Sequence, residues 1–143
     1  NKILCSDFII QIINLFPMQK EIIKVKNSIP NEFIKIDETK FIIAIRNLVD
    51  NALKYSNNKN IFIKIQNSEG LKINIIDQGP GIEKQSINKI VQPFYQGKKT
   101  VSTKGFGLGL TICKKIVEAH KGKLIIKSKL NFGSEFIIYL SNI

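Results

Sequence analysis

Residues 47–56 read NLVDNALKYS and lie in a long amphipathic pattern, which predicts a helix that Asp37 caps and that ends near residue 55. We expect the broad apolar face of this helix to lie against a core, and it comprises Phe41, Ile45, Leu48 and Ala52. A second stripe of the helix is polar and comprises Asn47, Asn51 and Lys54. Amide oxygens are hard ligands for Mg²⁺ and an ammonium group binds phosphate, so this stripe suits a magnesium phosphate, with a solvated helix face as the alternative.

The length of 143 residues predicts one domain, and the flanking patterns predict both helices and strands. We predict strands at about residues 21–25, 33–36, 61–66, 71–77, 123–128 and 135–140. The two strands around residues 68–70 are expected to form a hairpin. We predict further helices at about residues 6–15, 86–91 and 108–120, with Ser6 or Asp7 capping the first.

The net charge of +11 suits an anionic partner, but its pattern argues against a nucleic-acid reader. The lysines are scattered along the sequence and Arg46 is the only arginine, whereas readers of bases and phosphates usually exploit the forked guanidinium group. A small ligand that carries phosphate fits the same charge. We therefore expect no nucleic-acid partner.

Other features argue against a zinc site, a disulfide framework and a membrane-spanning segment. Cys5 and Cys113 lack the spacing of a zinc site or a disulfide framework, so we expect two reduced, mostly buried thiols. The apolar stretches are much shorter than the roughly 20 residues that cross a bilayer. Because the chain begins with Asn1, we expect it to be a piece of a longer protein.

Two glycine clusters flank an irregular stretch between residues 78 and 109, and so long a stretch is usually functional. The first cluster reads DQGPGI at residues 77–82, where Asp77 ends a predicted strand and can accept a hydrogen bond from an exocyclic amine such as that of adenine. Taken singly, this pattern is also common turn chemistry. The second reads GFGLGL at residues 105–110 and leads into a helix, whose unpaired N–H groups suit a polyphosphate.

Four segments in this order, residues 47–56, 77–82, 93–95 and 105–110, closely resemble the N, G1, F and G2 boxes of bacterial two-component sensor histidine kinases. The resemblance covers nearly the whole chain. It implies the catalytic and ATP-binding domain, an α+β two-layer sandwich with a mixed sheet of about five strands and three helices. This is the Bergerat fold of the GHKL ATPases, shared with gyrase, Hsp90 and MutL. An ATP lid would span about residues 80–106.

The resemblance also implies roles for individual residues, with ATP and Mg²⁺ as cofactors. Asn51 and Asn47 would bind the metal, Lys54 would contact phosphate, Tyr55 would lie near the adenine, and Asp77 would accept its amine. The remaining nucleotide-binding positions would be Gly79, Gly81, Ile82, Phe94, Tyr95, Lys104, Gly105, Gly107, Leu108, Gly109 and Leu110. Gln96 departs from the arginine that is frequent there, so the lid's cation could instead be Lys98, Lys99 or Lys104.

The resemblance further implies partners outside this chain. The phosphoacceptor histidine would lie on a separate dimerisation domain, and a response regulator would act downstream. We expect a cytoplasmic domain without membrane contact of its own, in a parent that is anchored in the inner or plasma membrane. His120, the only histidine, is expected to serve packing or a surface role.

Three other readings stay open. A GHKL ATPase or a serine kinase of the anti-sigma-factor type would carry a glutamate where Asn47 stands, and an amide cannot act as a general base. A non-catalytic basic module would bind nucleic acid in a salt-sensitive way without needing Asp77. A pseudokinase would keep the fold and lose the chemistry.

Overall fold

The computed structural model describes residues 1–83 and 109–141, which form a sheet layer and a helix layer. The helices are α1 (Cys5–Asn14), α2 (Glu38–Tyr55) and α3 (Gly109–Ala119), with a short 3₁₀ turn at Pro17–Gln19. The strands are β1 (Lys2–Leu4), β2 (Ile23–Asn27), β3 (Phe33–Lys35), β4 (Ile61–Asn67), β5 (Leu71–Asp77), β6 (Lys123–Lys129) and β7 (Gly133–Leu140). The helix predicted at 86–91 lies outside the described residues.

The main sheet has five strands in the order β2-β4-β5-β7-β6. β2 runs parallel to β4, while β4, β5, β7 and β6 pair antiparallel, so the sheet is mixed. Three helices accompany it in the described part of the chain. The predicted α+β fold, with about five strands and three helices, is therefore confirmed.

Side chains alternate between the two faces of the main sheet, and the apolar face is the one that the helices cover. The covered face supplies a continuous isoleucine-rich row that includes Ile63, Ile75 and Phe136, which lie side by side in neighbouring strands. Against it pack the four residues predicted for the apolar face of α2, all of them at most 1% exposed. The core predicted for this helix is therefore confirmed.

The first helix is capped differently from the prediction. It begins at Cys5, and neither Ser6 nor Asp7 caps it with a side chain. Instead, the N–H groups of Cys5 and Ser6 donate to the carbonyl oxygens of Glu32 (2.8 Å) and Pro30 (3.2 Å). The loop before β3 thus provides acceptors for the first N–H groups of the helix. Strand β3 pairs with β1, and β1 was not predicted from the sequence.

The start of α2 is held by two polar contacts. The Asp37 carboxylate accepts from the Lys40 N–H (3.2 Å), as its predicted capping role requires. The Asp37 N–H donates to His120 Nε2 (3.0 Å), and His120 Nδ1–H donates to the Ile116 carbonyl oxygen (2.8 Å). The His120 ring also meets Phe41 edge-on, with centroids 4.7 Å apart, so this histidine joins α3 to α2.

Replacing His120 with alanine is expected to destabilise the domain by about 1–2 kcal/mol, because the Asp37 N–H loses its acceptor and the contact with Phe41 disappears. Lys115→Ala, at an exposed position of α3, should change stability by less than about 0.5 kcal/mol. Urea unfolding of both variants measures the difference. Equal stability would show that the His120 contacts contribute nothing to the fold.

Both cysteines are free and buried, as predicted. Burial raises the pKa of the Cys113 thiol to about 12 and is also the main cause that raises the pKa of Cys5. Both side chains therefore stay protonated at neutral pH and act as small apolar residues of the core.

Candidate nucleotide-binding site

The polar stripe of α2 lies beside the first residue of α3. Asn47 and Asn51 are half-buried and Lys54 is exposed. A Cβ atom at Gly109 would lie 3.6 Å from Asn47 Cγ, so the N-terminus of α3 comes alongside the Asn47 amide. The structure thus brings together an amide that can bind a hard cation and a helix start that can bind an anion.

Asp77, the last residue of β5, is buried at 5% exposure beneath the turn that follows it. Its carboxylate accepts from the backbone N–H of Gly79 (2.9 Å) and from that of Ser134. Burial raises the pKa of this carboxyl group, and the two amide donors partly oppose the rise. The group is therefore an acceptor whose orientation is set by backbone donors and which is largely removed from bulk water.

Gly79 and Gly81 lie against the backbone of the protein itself. A Cβ atom at Gly79 would lie 2.3 Å from the Tyr55 carbonyl oxygen, so the Gly79 turn abuts the end of α2. Gly81 has a φ of 78°, and a Cβ atom there would lie 2.3 Å from the Lys129 carbonyl oxygen. Contacts within the protein thus require glycine at both positions. The role of the two glycines in a base pocket stays a prediction.

The hairpin between β6 and β7 holds this turn in place. The Ile82 N–H donates to Ser128 Oγ (2.6 Å), and the Asn131 N–H donates to the Pro80 carbonyl oxygen (2.8 Å). Ser128 Oγ in turn lies 3.0 Å from the Gly133 carbonyl oxygen. No sequence signal indicated Ser128, because its partner lies 46 residues away and only the fold brings the two together.

Gly79→Ala is expected to destabilise the domain by about 1–3 kcal/mol, since its Cβ would collide with the Tyr55 carbonyl oxygen and separate the turn from α2. Gly109→Ala provides the control, because the atoms of the described residues nearest to its Cβ would be those of the Asn47 side chain, at ordinary contact distance, and alanine favours a helix. Thermal unfolding should show a lower Tm for the first variant and an unchanged or higher Tm for the second. The opposite ranking would contradict the close packing of the turn.

The structure describes some of the predicted site residues and not others. Asn47, Asn51, Lys54, Tyr55, Asp77, Gly79, Gly81, Ile82, Gly109 and Leu110 are described, and Ile82 and Leu110 pack against the core. Outside the described residues lie Phe94, Tyr95, Gln96, Lys98, Lys99, Lys104, Gly105, Gly107 and Leu108, with most of the predicted lid. The described part of α3 begins at Gly109, and the predicted start at residue 108 lies outside the described residues.

Residues 36–142 match the family model described as histidine kinase-, DNA gyrase B- and HSP90-like ATPase. The chain is 31% identical over 138 residues to the adaptive-response sensory kinase SasA of Gloeothece citriformis, covering 93% of this chain and 35% of that protein. It is 40% identical over 116 residues to the sensor protein RprX of Bacteroides fragilis, covering 77% of this chain and 22% of that protein. The chain thus spans about a third or less of these relatives.

A solved structure has the same fold over nearly the full length of both chains. The catalytic domain of histidine kinase ThkA, in a nucleotide-free form, superposes with a TM-score of 0.82 at 28% identity. The alignment covers 98% of this chain and 93% of that one. The likeness therefore includes the ends of β5 and α2, where the candidate site lies.

Proposed function

Because the chain belongs to the family of histidine kinase-, DNA gyrase B- and HSP90-like ATPases, as a sensor histidine kinase catalytic domain, we propose that it binds Mg·ATP and donates the γ-phosphoryl group to a histidine on a separate dimerisation domain. The observation that carries the proposal is the convergence on α2. The start of α3 lies beside Asn47, and the turn after Asp77 abuts Tyr55 at the other end of the polar stripe.

The residues present suit a magnesium nucleotide. Amide oxygens belong to the ligand class that Mg²⁺ prefers, and Mg²⁺ commonly completes its shell with phosphate oxygens and water. Asn51, assisted by Asn47, would hold the ion, which would neutralise phosphate charge. Lys54 would add a point charge, and the first N–H groups of α3 would face the phosphates.

Base recognition is assigned to Asp77, with Tyr55 beside the adenine. The amides of Gly79 and Ser134 fix the carboxylate of Asp77, so one of its acceptor sites can be directed at an exocyclic amine. Guanine presents a carbonyl oxygen where adenine presents that amine, and two acceptors would then face each other. We therefore propose selectivity for ATP over GTP at this residue.

Phosphoryl transfer asks the protein mainly for positioning and charge neutralisation. The related ATPases and serine kinases would place a glutamate at the position of Asn47 to activate water or a hydroxyl group. An amide cannot take up that proton at neutral pH, so hydrolysis by this chain alone is expected to be slow. The histidine acceptor needs no such base, because a neutral imidazole nitrogen is itself a nucleophile.

We propose that residues 1–143 act as one catalytic domain whose acceptor domain, response regulator and membrane anchor belong to the rest of a larger protein or to other chains. This arrangement is supported by SasA and RprX, because the matching region is only a small part of each of these relatives. In the described ranges, no helix is long and apolar enough to span a bilayer.

Calorimetric titration with a non-hydrolysable ATP analogue tests the proposal. We expect saturable binding that strengthens when Mg²⁺ is present. The corresponding GTP analogue should bind about tenfold more weakly or worse, because its guanine carbonyl oxygen would face the Asp77 carboxylate in place of the adenine amine. Binding that ignores both Mg²⁺ and the identity of the base would contradict the proposed site and favour general attraction of a basic chain for anions.

A further inference from the structure

The face of the main sheet that points away from the helices, here called the open sheet face, collects lysines from the alternate positions of its strands. These lysines are Lys24, Lys26, Lys64, Lys72, Lys123, Lys127 and Lys129. The sole acidic residue on this face of the described sheet is Glu135. The other described residues carry ten cationic and ten acidic side chains, so the positive excess of the described chain lies entirely on the open sheet face.

The strand register places two of these lysines opposite each other and a third opposite Glu135. Lys26 lies opposite Lys64 in the parallel pair of β2 and β4, an arrangement that costs free energy. Glu135 lies opposite Lys127, but it also accepts from Asn74 Nδ2 at 2.8 Å. One carboxylate cannot neutralise seven ammonium groups, so the open sheet face presents a broad positive field.

Apolar side chains lie between the lysines. Ile125 on β6 is 41% exposed, and Phe62 and Ile76, which lie opposite each other on β4 and β5, are half-buried. Small apolar patches surrounded by lysines suit the interface of a lipid bilayer, between the headgroups and the acyl chains. Lysine stems can extend over apolar surface there while their ammonium groups stay in water.

We propose that the open sheet face docks on the anionic surface of a lipid bilayer. Protein interfaces are depleted in lysine and enriched in arginine, and nucleic-acid readers favour the guanidinium fork, yet the single arginine, Arg46, lies on α2. A charged leaflet attracts point charges diffusely and asks for no geometric match. The fold thus brings lysines that are scattered in sequence onto one face of the sheet. The proposed contact with a membrane differs from the expectation, based on the sequence, of a domain without membrane contact.

Sedimentation with vesicles tests the docking. The chain should bind vesicles of phosphatidylserine and phosphatidylcholine but not pure phosphatidylcholine. Combined replacement of Lys26, Lys64 and Lys127 by glutamine should weaken binding about a hundredfold, at roughly fivefold for each lysine. The matched control replaces Lys20, Lys59 and Lys114, exposed lysines outside the open sheet face, and should bind almost normally. Binding of the ATP analogue checks that both variants are folded.

The outcomes separate the alternatives. Loss confined to the sheet variant supports the proposal, whereas equal loss in both variants would attribute binding to net charge alone and overturn it. Failure of the unaltered chain to bind anionic vesicles would overturn it as well. If duplex DNA or polyglutamate, at matched anion concentration, displaced the chain from the vesicles, the partner of the open sheet face would be a nucleic acid or an acidic protein and not a lipid bilayer.

Discussion

Asp77→Asn is expected to weaken binding of an ATP analogue by about a hundredfold, while the domain becomes no less stable at pH 7. Asparagine keeps the shape of the side chain but puts an NH₂ donor where the carboxylate offers an acceptor, so the adenine amine would meet another donor. Calorimetry measures the affinity. Asp50→Asn, which removes the same charge from a half-buried position on α2, should bind the analogue normally.

The stability of the same variant follows from the sign of the pKa shift. Burial raises the pKa of Asp77 above its usual value, so the folded chain binds this proton more tightly than the unfolded chain does. The stabilisation from protonation is fully present below the usual pKa and is lost as pH rises through the raised pKa. At pH 7 the ionised group therefore opposes folding. The stability advantage of Asp77→Asn should shrink as pH is lowered from 7 towards 4, which thermal unfolding at each pH measures.

An Asp77→Asn chain that lost both affinity and stability would point to a structural role for the carboxylate. Its acceptor bonds to Gly79 and Ser134 would then outweigh the cost of burying the charge. An unchanged affinity would remove Asp77 from base recognition altogether.

Asn51→Ala is expected to reduce the Mg²⁺-dependent part of ATP-analogue affinity by about tenfold to a hundredfold, because alanine provides no oxygen ligand and even outer-shell changes at metal sites have effects of this size. Binding measured without Mg²⁺ should change little. The control is Asn14→Ala, an exposed amide at the end of α1. If Asn51→Ala weakened binding equally with and without Mg²⁺, the residue would contact the nucleotide and not the ion.

Much of the fold was predictable because its signals are local. Asp37 caps α2 as predicted, and Asn57 and Asn58, which end that helix, both have positive φ. The hairpin of β4 and β5 closes over residues 68–70, where the Gly70 N–H donates to Asn67 Oδ1 (3.2 Å). These features depend on side chains within a few positions of one another, so the sequence alone indicates them.

The parts that were missed depend on long-range contacts. The cap of α1 comes from backbone carbonyls at residues 30 and 32, which leave no trace in side-chain identity. β1 has three residues and becomes a strand only because β3 pairs with it. The sorting of lysines onto one sheet face follows from a period of two within each strand, but it emerges only when the order and register of all five strands are known.

The candidate site was predictable as a set of motifs but not as a geometry. The order of the four segments indicated which residues belong together, although a segment such as residues 77–82 is also common turn chemistry when taken singly. The contact between Gly79 and the last residue of α2, and the support that Ser128 gives to Ile82, required the fold.

The hydrogen bond between His120 and Asp37 also constrains the order in which parts of the chain can fold. Its partners lie 83 residues apart, so the first turn of α2 gains this acceptor only after α3 has docked. During synthesis, α2 would emerge with its capping aspartate but without the imidazole. The Asp37 amide should therefore exchange its hydrogen readily until α3 has docked, and should become protected together with α3.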